Sequence, residues 1–111
     1  MVEQAFVRAA AVGWVSDEPM PGLVQVEFVD ADGQIWRFVD KVSIFDREDV
    51  LTASASYPVA VVVACTIVER QGDRATISTA EPWAIESVDG RSRFVVRADQ
   101  LSLDKRLWRH S

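Results

Sequence analysis

Alternation of apolar and polar side chains, two residues per repeat, runs through most of this chain. Leu23 to Asp30 places Val24, Val26 and Phe28 on one face and Gln25 and Glu27 on the other, the signature of a strand with one buried face. After Asp-Ala-Asp-Gly, Gln34 to Lys41 returns with Trp36 and Phe38 on one side and Arg37 between them. Asp32-Gly33, Gly72-Asp73 and Asp89-Gly90 each separate two such runs. Glycine reaches positive φ freely and Asp bonds its own backbone, so each pair predicts a tight reversal.

The second hairpin joins Val59–Glu69 to Arg74–Thr79. Val59, Val61, Val63, Cys65 and Ile67 face one way and Ala60, Val62, Ala64 and Val68 the other. A strand apolar on both faces belongs at the centre of a covered sheet or in a barrel wall. Glu81-Pro82 ends its partner strand, since proline cannot donate to a ladder. The third hairpin is read as Trp83–Val88 with Ser92–Arg97, Phe94 and Val96 pointing inward. Ala5 to Val15 is rich in helix-favouring alanine, yet Phe6, Ala10, Val12 and Trp14 fall on one side of an alternating pattern, and a strand is preferred.

Between these runs lie two connections. Asp17–Gly22 holds two prolines and a glycine and is a loop. Val42–Tyr57 is a long connection with one helical turn expected near Asp46; Asp99 is expected to cap another turn carrying Leu101 and Leu103. Six or seven short strands with turn signals throughout predict an all-β, mainly antiparallel fold: a small, partly open β-barrel with at most one or two short helical turns. Residues 1–104 form its single domain, and 105–111 a basic C-terminal tail.

Composition narrows the chemistry more than it names it. The chain has 111 residues, 49% apolar and 26% charged, enough for one core. The formal charge of −5 is uneven: residues 1–104 carry nine basic and 17 acidic groups, whereas Lys105, Arg106 and Arg109 sit in the tail. An acidic body repels phosphate backbones and anionic lipid, so neither nucleic acid nor membrane is an expected partner. A single cysteine, Cys65, forms no intramolecular disulfide, and the first residues lack the layout of a secretory signal. A cytoplasmic setting is the expectation.

No familiar catalytic constellation is present. His110, the one histidine, is next to the C-terminal residue, and Cys65 lies in a valine-rich strand; nucleophile–histidine mechanisms need both groups placed together. One Cys and one His cannot close a zinc site, and Asp30 and Asp32 read as turn formers rather than calcium ligands. No phosphate-cradling glycine loop or serine elbow occurs. No cofactor and no metal are expected, and catalysis is the less favoured class.

What remains is surface. The expected contact of a partner-binding module consists of acidic Asp46, Glu48 and Asp49 with the aromatics Tyr57, Trp83 and Trp108. An inhibitor or immunity-like protein, blocking a basic active site, is its specific form. The alternative is a small-ligand barrel, or weak enzyme, with Trp14, Tyr57 and Trp83 around its mouth. A third reading is a homodimer formed through the tail or an edge strand.

Overall fold

The computed structural model describes residues 3–45 and 50–103. Their seven strands are β1 (Glu3–Ser16), β2 (Leu23–Val29), β3 (Ile35–Lys41), β4 (Val59–Gln71), β5 (Arg74–Ser78), β6 (Arg93–Arg97) and β7 (Leu101–Ser102). Single 3-10 turns occupy Val42–Phe45 and Ala98–Gln100. Six strands form one antiparallel sheet in the order β3-β2-β1-β4-β5-β6, curled into a half-barrel, while β7 pairs with β1. The predicted tail, residues 105–111, lies outside the described residues.

The N-terminal segment is a strand, and its inward face is the smaller one. Ala5, Val7, Ala9 and Ala11 are buried, whereas Phe6 and Ala10 are half-buried and Val12 is exposed. Short side chains on β1 leave the interior to Phe28, Phe38 and Phe94 from other strands, the large-with-small complement that a narrow barrel needs. Phe94 meets Phe28, Trp36 and Phe38 edge-on, with ring centroids 5.1, 5.2 and 5.7 Å away. The register of β1 against β2 shifts between Ala11 and Gly13 and again between Trp14 and Ser16. Such irregularities bend a strand and re-aim its side chains. Trp14 thereby packs against the core although Val12 does not.

β4 is central, paired to β1 through Val59–Ile67 and to β5 through Thr66–Gln71. Every residue from Val61 to Ile67 is buried, as its two-sided apolar sequence requires.

One expected hairpin is absent. Trp83–Val88 is not a strand; β6 takes β5 as its partner over Arg74–Ser78 instead. Thr79 is fully buried, and its hydroxyl donates to the Ile85 carbonyl at 2.7 Å. That bond folds the segment inward and drives Ile85 into the core at 0% exposure. Further on, the Val88 amide donates to the Arg37 carbonyl at 2.8 Å. The segment therefore straps the free edge of β3 rather than extending β6, hiding backbone groups that an edge strand would expose.

The same seam is tied elsewhere. The Ala31 amide donates to the Val95 carbonyl at 2.9 Å, and Gln100 Nε2 to the Val29 carbonyl at 2.7 Å. The Arg91 guanidinium lies 4.8 Å from the Trp36 ring centroid, a cation–π distance. Asp30 anchors the turn below: Trp36 Nε1 donates to Oδ2 at 2.8 Å, and the Asp32 and Gln34 amides to Oδ1 at 2.9 Å each. Burial alone would push its carboxyl up, but these bonds and the Arg91 charge outweigh it and hold it below the usual range.

One local expectation is corrected and another is left open. A 3-10 turn occupies Val42–Phe45, while the turn expected near Asp46 lies outside the described residues. At the turn Ala98–Gln100, no Asp99 side chain caps; Gln100 Oε1 accepts the Arg97 amide at 2.9 Å instead.

Candidate functional site

An open groove lies where β1 ends. Asp17, Met20 and Pro21 form one wall and Thr52–Ala53 the other; the buried Val42 and Leu51 make the floor, and Trp14 lines it, enclosing about 440 Å³. The sequence builds each wall by a separate device. In the first, Ser16 Oγ donates to the Glu18 carbonyl at 2.8 Å, and the Gly22 amide to the Pro19 carbonyl at 2.8 Å. Gly22 has φ +129°, and any Cβ there would collide with the Trp14 ring; only glycine lets the indole lie across the loop. Trp14 Nε1 donates to Asp17 Oδ1 at 2.9 Å, fixing the ring's orientation.

In the second wall, the Tyr57 hydroxyl donates to the Thr52 carbonyl at 2.8 Å, and the Ala55 amide to the same carbonyl at 3.2 Å. Tyr57 itself packs against the core, and burial raises its phenol above the ordinary value. The floor belongs to the core: Val42 and Leu51 are 1% and 2% exposed. Met20 stands on the rim at 79% exposure, between two prolines that bar it from regular structure.

A second, smaller groove of about 180 Å³ opens on the outer face of β1 and β4, lined by Gln4, Phe6, Ala64, Pro82 and Trp83 among others. Trp83 is 58% exposed. It follows the turn at Thr79 and precedes Ala84, whose φ of +53° is unusual for a residue with a Cβ.

The expected three-aromatic mouth is thus divided. Trp14 lines the larger groove and Tyr57 holds its far wall, whereas Trp83 belongs to the smaller one. Asp46, Glu48, Asp49 and Trp108 lie outside the described residues. Sequence reasoning passed over Met20 and Leu51; Pro-Met-Pro, an apolar side chain locked into a loop, was the available signal.

Cys65 is buried between β1 and β5, and burial pushes its thiol up to about 12, so the reactive thiolate is not formed near neutrality. Among the described residues, no three His, Cys, Asp or Glu side chains are placed to share a metal ion. Nor, among them, is any helix long and apolar enough to cross a membrane. Comparison of the chain with protein-family models, curated proteins and solved structures finds no match.

Proposed function

We propose that this chain is a non-catalytic β-barrel module that binds a protein partner through acidic loops and exposed aromatic and apolar side chains. The Trp14 groove carries the reading: a surface recess floored by buried core residues, with an exposed methionine on its rim. Buried floors with protruding apolar side chains suit protein contacts, because little ordering entropy is lost on binding. A filled interior supports the same choice over a ligand-holding barrel. Val7, Val24, Val26, Phe38, Val63, Ile77 and Val96 are all at 0% exposure, and a small-ligand barrel keeps its pocket open.

Asp46, Glu48 and Asp49, between the groove residues Val42 and Leu51 in sequence, extend the contact in this reading. Blocking a basic active site, as an inhibitor or immunity-like protein does, is the form that the acidic body favours. A cytoplasmic setting goes with it, since Cys65 asks for no oxidising compartment.

The test is affinity capture from the native cell extract, followed by calorimetry with the purified partner. Asp46→Asn, Glu48→Gln and Asp49→Asn together, and Met20→Ser alone, are expected to remove binding while leaving the urea midpoint unchanged. A partner that binds all variants as well as the parent sinks the reading. Truncation after Asp104 separates self-association: a change in sedimentation on truncation would move the contact to the tail.

A further inference from the structure

The two grooves differ in charge, and that difference says what each can hold. None of the side chains lining the Trp83 groove is ionised. Asp17 lines the Trp14 groove and is exposed, and Glu18, next to it in the same loop, is exposed as well. Lys41 is the one cation among the described residues of the bordering segments 14–23, 40–45 and 50–53. The sequence between Val42 and Leu51 adds Asp46, Glu48 and Asp49 against Arg47.

Among the described residues, Asp17 accepts from the Trp14 indole at Oδ1, and a carboxylate accepts at both oxygens. Its position is held by that bond, so a cation can meet it without first ordering it. Below the carboxylates the surface is apolar: Trp14, Met20, Pro21, Val42 and Leu51. The recess, about 440 Å³, falls in the ~300–1,000 Å³ range of clefts that enclose small ligands. That is room for one large apolar side chain and the stems of its neighbours.

We infer that the Trp14 groove takes a short segment of a partner protein in which an apolar side chain, seated between Met20 and Leu51, is flanked by Lys or Arg meeting Asp17 and Glu18. The inference rests on the binding-module reading above and narrows it to one groove and one class of segment. Apolar burial supplies the affinity; the flanking charges fix orientation and exclude acidic competitors.

The probe is a fluorescein-labelled peptide, Lys-Arg-Leu-Phe-Arg-Lys, titrated with the full chain and read by anisotropy. It is expected to bind the parent, and about tenfold more weakly after Met20→Ser. Asp17→Asn with Glu18→Gln weakens binding several-fold and flattens its loss between about 50 and 300 mM salt. Trp83→Ser leaves binding unchanged. Lys-Arg-Ser-Ser-Arg-Lys and Glu-Glu-Leu-Phe-Glu-Glu each bind about tenfold more weakly than the probe.

Equal binding of the serine peptide reduces the effect to bulk charge attraction and overturns the inference. So does equal binding of the acidic peptide, or a loss with Trp83→Ser as large as with Met20→Ser. No binding of the probe, with partner capture still sensitive to Met20→Ser, removes the basic segment while the binding module stands. Loss of both removes both. All the substituted side chains lie on the surface, and matching urea midpoints confirm that each variant is folded.

Discussion

Replacing Ile85 by alanine tests whether the segment after β5 is a strap driven into the core. Ile85 is at 0% exposure in a stretch without regular structure, reached through the Thr79 hydroxyl bond to its carbonyl. Ile85→Ala leaves that backbone bond in place, so the change isolates side-chain packing. Three carbon groups leave the interior, at about 0.8 kcal/mol each by transfer. A residual cavity adds to this, giving an expected loss of about 2–5 kcal/mol. With a urea m-value of about 2 kcal/mol/M, the midpoint falls by roughly 1–2.5 M without a change in m. Val88→Ala, at 60% exposure in the same strap, serves as the control and stays within about 0.5 kcal/mol. The assay is urea unfolding followed by circular dichroism and tryptophan emission, with coincident transitions required. A loss below about 1 kcal/mol for Ile85→Ala, or equal losses for the two variants, would refute the strap.

Asp30→Asn removes a carboxylate whose ionised form accepts from Trp36, Asp32 and Gln34, at an expected cost of about 1–3 kcal/mol at pH 7. Because folding lowers this carboxyl's pKa, its contribution is full above the unfolded value near ~3.9 and is lost as pH falls through the lower folded value. The gap between parent and variant urea midpoints therefore closes only in that acid window; a gap that instead narrows from pH 7 to 5 rejects the assignment. Gly22→Ala meets both a positive φ and the Trp14 ring, so it lowers stability by more than the ~1 kcal/mol of a simple backbone misfit and shifts tryptophan emission; an unperturbed spectrum counts against the stacked loop. Cys65, buried with its thiol raised to about 12, reacts with a thiol reagent at pH 8 only in denaturant; stoichiometric labelling of the native chain would contradict that burial.

Local signals carried far in this chain, and long-range ones did not. Period-two alternation marked β2 and β3 with their facing Val24, Val26, Phe28, Trp36 and Phe38, because side-chain direction along a strand is a property of the backbone alone. Two-sided apolarity placed β4 at the centre of the sheet for a similarly local reason. The Asp89-Gly90 turn is equally instructive. Gly90 does sit at φ +80° and its amide does bond to the Ser87 carbonyl at 2.8 Å, yet the runs on either side never pair as strands. A turn is decided by a few residues, whereas a strand's partner is decided by what else competes for its edge. Here β5 takes β6, and burial of Ile85 outweighs any pairing of Trp83–Val88 with it.

The candidate site divides along the same line. Trp14 and Tyr57 were visible as aromatics beside loops, and Asp17–Gly22 as a loop from its prolines. That Trp14 turns onto Gly22 goes with two register shifts in β1, that Leu51 shares its groove comes from a connection remote in sequence, and that Trp83 opens elsewhere follows from the inward fold at Thr79 and Ile85. Sequence by itself determined the element type and the apolar faces, since both arise within a few residues. Only the folded chain decided which edges pair and which loops share a groove, because closure energies are summed over contacts between residues far apart in the chain.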